Sequence, residues 1–84
     1  MTTMGIDLAV RAAHVATLTD GRGQVVWTRR RFHNLHDELV AVSDAAGPPE
    51  ELTVVMEPTR NAWVIVAAHF RAIGAKVVLV APEQ

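Results

Sequence analysis

Two carboxylates stand inside stretches that are otherwise among the most apolar of the chain. Asp7 lies within Met4-Gly5-Ile6-Asp7-Leu8-Ala9-Val10, and Glu57 closes Leu52-Thr53-Val54-Val55-Met56 ahead of Pro58. Both segments read as strands by composition and alternation. A buried carboxylate without a partner is costly, and a divalent cation relieves that cost. If the two strands are neighbours in one sheet, their side chains stand roughly 5 Å apart, close enough to share one Mg²⁺ or a pair of them. The chemistry open to such a pair is metal-assisted attack on a phosphodiester. Alternation puts Ile6, Leu8 and Val10 on one face and Gly5, Asp7 and Ala9 on the other, so small neighbours leave room for a ligand beside the carboxylate. The plainer alternatives are an Asp bonded to backbone amides and a Glu that surfaces at a strand end.

Other polar residues compete for a role. Arg29, Arg30 and Arg31 alternate across a strand, with Arg29 and Arg31 on one face and Arg30 joining Val26 and Phe32 on the other; they either contact phosphate or protect a solvated edge. Arg60, just beyond Glu57 at the start of a helix, is the better phosphate candidate, because helix N-termini and guanidinium groups both attract anions. His33 and His36 have a metal-ligand spacing but no third ligand of suitable type, so they read as surface histidines. His14 and His69 are isolated, Trp63 and Phe70 fall on an apolar helical stripe, and Glu83 lies too close to a strand end to complete a metal site.

Seven elements must position these groups. Residues 4 to 10, 13 to 18 and 24 to 32 read as three strands in an antiparallel meander, the last two joined by the tight-turn chemistry of Asp20-Gly21-Arg22-Gly23. Asn34 is placed to cap a helix from Leu35, whose face Leu35, Leu39, Val42 and Ala46 runs to the stop Gly47-Pro48-Pro49. A fourth strand ends at Glu57, and a second helix carries Trp63, Val66, Ala67 and Phe70 toward a stop at Gly74. Lys76 to Ala81 is apolar on both faces, as expected of an interior parallel strand covered by helices on either side, and Pro82 ends it. The last two crossovers require parallel pairing with right-handed connections, which excludes a bundle or a sandwich.

Composition sets the outer bounds. The chain has 84 residues, half of them apolar, enough for a single domain over 1–84 with a modest core. It has no cysteine, which removes disulfides and thiolate metal sites from consideration. A net charge of -1 argues against an independent nucleic-acid-binding module, leaving the three consecutive arginines as a local exception. Neither a leader segment nor a bilayer-spanning stretch is visible, so a soluble, cytoplasmic protein is expected.

The order strand, strand, strand, helix, strand, helix, strand, with an acidic first strand, is that of the opening half of a ribonuclease H-like α/β fold. Its mixed sheet has the order 3-2-1-4-5, which places strand one beside strand four. More specifically, Gly5-Ile6-Asp7, His14-Val15-Ala16, Asp20-Gly21-Arg22-Gly23, Val55-Met56-Glu57-Pro58-Thr59 with Trp63, and Gly74-Ala75-Lys76-Val77-Val78 with Pro82-Glu83-Gln84 resemble the N-terminal part of the insertion sequence one-ten family of transposases. These are DEDD recombinases with a RuvC-like fold that act with a bridge RNA. The resemblance implies that Asp7 and Glu57 are the first two of four carboxylates of a Mg²⁺ site for DNA strand cleavage and exchange, with DNA and a guide RNA as partners. In that family the other two carboxylates lie on a later helix and a catalytic serine in a downstream domain. A chain ending after strand five is therefore expected to be truncated and inactive alone.

Two further readings stand beside it. The actin, sugar kinase and Hsp70 superfamily opens similarly, but its phosphate cradle needs small residues after the Asp, where this chain has Leu8-Ala9-Val10-Arg11. A non-catalytic fragment that self-associates through exposed sheet or helix surface, as a homo-oligomer, is the third.

Overall fold

A computed structural model describes residues 1–81. Three strands, β1 (Thr2–Asp7), β2 (His14–Thr19) and β3 (Val25–Phe32), form the antiparallel meander. They are followed by helix α1 (His36–Ala45), a single 3₁₀ turn at Pro49–Glu51, strand β4 (Leu52–Met56), helix α2 (Ala62–Ala72) and strand β5 (Lys76–Leu79). The five strands make one mixed sheet in the order β3-β2-β1-β4-β5, with β4 parallel to both β1 and β5. This is the ribonuclease H-like order expected from the sequence.

Both helices pack on the same face of this sheet. Met4, Ile6, Ala16, Leu18, Val54 and Met56 point into that layer and meet Leu39 and Val42 of α1 and Val66, Ala67 and Phe70 of α2. The period-2 burial of β1, β2 and β4 against the 3.6-residue stripe of α2 is the physical reason the layers fit. Gly47 (φ 86°) and Gly74 (φ 100°) follow the two helices in the left-handed region, where glycine carries no Cβ penalty.

Four details depart from the sequence reading. β1 ends at Asp7, so residues 8 to 13 form a loop and the alternation past Asp7 does not exist. Asn34 does not cap α1; Leu35 occupies the cap position without a side-chain bond and is itself exposed, and Asn34 Oδ1 instead faces His14 Nε2 at 3.0 Å. β3 is bulged: Ala16 pairs with Arg30 but Leu18 with Trp27, so Trp27 rather than Val26 joins Arg30 and Phe32 on the helix side. There the Trp27 indole N–H donates to the Ala45 carbonyl at 3.0 Å, and the Arg30 guanidinium lies 5.1 Å from its ring centroid. Finally, β5 is an edge strand in contact with a helix on one face only, so Val77, Val78 and Leu79 are half-buried where full cover was expected. The predicted strand end at Pro82, and Glu83, lie outside the described residues.

Candidate functional site

The helix-free face of the sheet holds both sequence-singled carboxylates. The β1–β4 ladder runs in strict parallel register from Thr2↔Leu52 to Ile6↔Met56. One step further along these strands come Asp7, the last residue of β1, and Glu57, the first residue after β4; both line the same depression, and neighbouring strands are about 4.8 Å apart. They follow Gly5 and Val55 on the same face, since side chains two apart along a strand point the same way. The Val80 N–H donates to the Met56 carbonyl at 2.9 Å, which carries the β4–β5 ladder up to the level of Glu57. An open depression of about 690 Å³ spans this region, with Asp7 and Glu57 at one end, Gly5 and Val55 on its floor, and Thr17, Thr28 and Arg29 along the β3 side.

The reason these acids belong here is not the one the sequence suggested. Both are exposed, so no burial cost has to be relieved. What the fold supplies instead is proximity and freedom: among the described residues neither carboxylate makes a side-chain hydrogen bond or an ion pair. Carboxylates with unengaged oxygens are the kind of donor that a hard divalent cation takes. A Cβ built on Gly5 would have no atom within 4 Å, so the floor between the central strands is open to a ligand. The Thr59 hydroxyl donates to the Glu57 carbonyl at 3.3 Å and stiffens the turn that ends β4.

The arginines are distributed around this face rather than gathered on it. Arg31 pairs with Val15, which in turn pairs with Asp7, so Arg31 lies two strands from the acid on the same row. Arg29 sits at the β3 bulge with φ 56° and lines the depression. Arg60 lies in the β4–α2 turn with φ 48°, two residues before the helix, and outside the depression lining. These are the two non-glycine residues with positive φ among those described, and such backbone costs of order 1 kcal/mol each.

The histidines take structural roles. His14, read from sequence as isolated, is buried: the Ala9 N–H donates to its Nδ1 at 3.0 Å, which leaves Nε2 as the ring donor, directed at Asn34 Oδ1. It thereby ties the loop after Asp7 to the end of β3, a role that only a view of the β2–β3 pairing reveals. His33 donates both its backbone and its ring N–H to Glu38 Oε1 at 3.0 and 2.9 Å, the one such contact between a basic and an acidic side chain among the described residues. The side-chain bond from His33 holds the Glu38 carboxyl below its usual range. His69 Nε2 donates to Ser43 Oγ at 3.2 Å and joins α2 to α1; burial, and next the nearby His36, push its pKa down. No cluster of three or more His, Asp or Glu residues occurs among the described residues, so His33 and His36 are not joined by a third ligand and Asp7 and Glu57 stand as a pair.

The sequence reading overlooked Thr17, Thr28, Thr59 and Val80, which line the depression. Thr17 and Thr28 are hydrogen-bonded to each other at 2.8 Å across the β2–β3 pair. Their sequence signal was present in the alternation of β2, where Val15, Thr17 and Thr19 share the face opposite His14, Ala16 and Leu18.

A family model for transposases, of the DEDD type typified by insertion sequence IS110, matches residues 4–84. A search of curated proteins returns no match.

Proposed function

The chain belongs to the IS110-type DEDD transposase family, and from that premise we propose that Asp7 and Glu57 are the first two acidic ligands of a Mg²⁺ site for DNA strand cleavage and exchange. The family places the chain in DNA transposition. The observation that supports the finer reading is the parallel β1–β4 register, which leads to Asp7 and Glu57 at the same end of adjacent strands, both lining the depression on the uncovered face of the sheet.

The residues fit a hard cation. Mg²⁺ takes oxygen donors, commonly one or two carboxylates with the rest from water and substrate phosphate, and Asp7 and Glu57 offer such oxygens without an internal competitor. When bound, the ion would supply charge stabilisation at a phosphate and orientation of the attacking oxygen. The remaining work falls to the chain itself. β1 and β4 hold the carboxylates on a rigid pair of strands, Gly5 leaves the approach clear, and Arg29, Arg31 and Arg60 offer positive charge to a phosphate backbone from the periphery. DNA and a guide RNA are the partners this reading assigns.

Two carboxylates make half of a four-carboxylate site. On this reading the 84-residue chain binds Mg²⁺ weakly, in about the millimolar range of sparsely liganded sites, and does not cleave DNA unaided. Calorimetric titration of Mg²⁺ into the chain and into Asp7→Asn and Glu57→Gln tests the first part, with binding expected only in the parent. A plasmid-nicking assay tests the second: Mg²⁺-dependent nicking by the purified chain, abolished in the same variants, would show that two ligands suffice and overturn the half-site assignment.

A further inference from the structure

The loop of residues 8 to 13 leaves the sheet after Asp7 and returns to it at His14. Among the described residues its backbone forms no hydrogen bond with other backbone, and its one hydrogen bond runs from the Ala9 N–H to His14 Nδ1 at 3.0 Å. The exit from β4 is held differently: the Val80 N–H reaches the Met56 carbonyl, and the Thr59 hydroxyl reaches the Glu57 carbonyl. The backbone around Glu57 therefore has two fastenings, whereas the backbone leaving Asp7 has a single imidazole.

We propose that His14 is a positioning residue of the Asp7–Glu57 site: by accepting the Ala9 N–H it fixes the peptide units that follow Asp7, and with them the direction in which the Asp7 carboxylate is presented. This rests on the reading of Asp7 and Glu57 as ligands of a divalent cation. His14 is no ligand itself. It is 2% exposed and lies on the buried side of β2 with Ala16 and Leu18, opposite the face that carries the depression.

The ring is held on every side. Nδ1 is engaged by Ala9, Nε2 by Asn34 Oδ1 at 3.0 Å, and Phe32 meets the ring edge-on with centroids 5.2 Å apart. Turning the imidazole over would put carbons at both polar partners and strand buried groups, which is costly. The ring is thus a fixed point and the loop is what it fixes. Leu8, between Asp7 and Ala9, packs against the core. Its side chain and the Ala9 amide bracket the chain directly after the acid. Metal ligands depend on such support, and removing it lowers metal affinity by about 10–100-fold.

The position of the acceptor atom separates this role from bulk stability. The Asn side-chain oxygen lies as many bonds from Cβ as Nδ1 does, and the polar end of Gln as many as Nε2. His14→Asn therefore keeps an acceptor for Ala9 and gives up Asn34, His14→Gln does the reverse, and His14→Phe keeps a ring with neither bond. A backbone ester in place of the Leu8–Ala9 amide deletes the donor N–H and leaves the buried ring intact, so it decides the matter where a ring substitution prevents folding.

Mg²⁺ titration of the 84-residue chain, followed through the amide resonances of Asp7 and Glu57, tests the proposal, with hydrogen exchange of the Ala9 amide measured without the ion. The parent and His14→Asn are expected to protect the Ala9 amide and to bind Mg²⁺ alike. His14→Gln and His14→Phe should expose that amide, and these two and the ester chain should raise the Mg²⁺ dissociation constant about tenfold, whatever the order of their urea midpoints. Parent-like affinity in the folded Gln, Phe or ester chain, an Asn variant as weak as the Gln variant, or a freely exchanging Ala9 amide in the parent would each overturn the assignment. A parent that binds no Mg²⁺ would instead refute the cation-site reading, and this inference with it.

Discussion

The two faces of this sheet come from the same strands yet follow different rules. On the helix-covered face Met4, Val54, Val66 and Phe70 have no exposed surface at all. On the other face Gly5, Asp7 and Glu57 are exposed, and threonines and valines line a shallow open depression between β3 and β5. One face carries the folding energy, and the other carries the residues to which the proposed chemistry is assigned. In a chain of 84 residues with a modest core, that separation lets acidic side chains stand together without eroding the packing that positions them.

The sharpest way to break this comparison is to remove a large side chain from the covered face. Phe70→Ala should cost about 3–5 kcal/mol in urea denaturation, a large share of the roughly 5–15 kcal/mol that holds small domains folded. A loss below 1 kcal/mol would mean that the helix layer is not the source of stability. Next in size is the link between helices: Ser43→Ala removes the acceptor of the His69 N–H and should cost about 1 kcal/mol.

Acid sharpens the same contrast. His69 has a pKa below its ordinary value, chiefly through burial. The unfolded chain therefore takes up a proton at this ring before the folded one does, so stability is full above the unfolded pKa near 6.5 and falls as pH drops through it toward the lower folded value. Glu38, also lowered, adds a loss in the same direction at more acidic pH, as its carboxylate is protonated below 4.5. Urea midpoints should thus decline between pH 7 and 5, and His69→Gln should flatten the upper part of that decline.

The smallest effects on stability belong to the open face. Asp7→Asn and Gly5→Ala should each stay within about 0.5 kcal/mol, because neither site has internal partners to lose or atoms to displace. A drop of 2 kcal/mol in either would assign this face to the core after all.

Much of this architecture is readable in the residues. Asp-Gly chemistry at Asp20-Gly21, apolar alternation in β1 and β4, and the stripe of α2 are local signals, and the strand order follows once two crossovers must be right-handed. The adjacency of the strands that lead to Asp7 and Glu57 follows from that order, and their common level rests on the β1–β4 register. Exposure was misjudged because apolar neighbours in sequence do not reveal which face lacks helices; β5 was expected to be covered on both sides for the same reason. Two non-local facts also escaped: the β3 bulge, which rests on the backbone conformation of Arg29, and the His14–Asn34 contact, which spans two strands. Asn34 next to a helix start has the composition of a cap, and only the buried imidazole beside it shows that its oxygen is already engaged.

Asp7 and Glu57, unengaged at the ends of adjacent parallel strands, are proposed to form a cation site. Paramagnetic broadening of backbone amides by Mn²⁺ in the 84-residue chain tests it most directly. Broadening is expected to centre on Gly5 to Leu8 and on Met56, Glu57 and Thr59, to yield to excess Mg²⁺, and to vanish in Asp7→Asn. Broadening centred instead on His33 and Glu38, or spread evenly over the surface and unchanged in the variant, would contradict it.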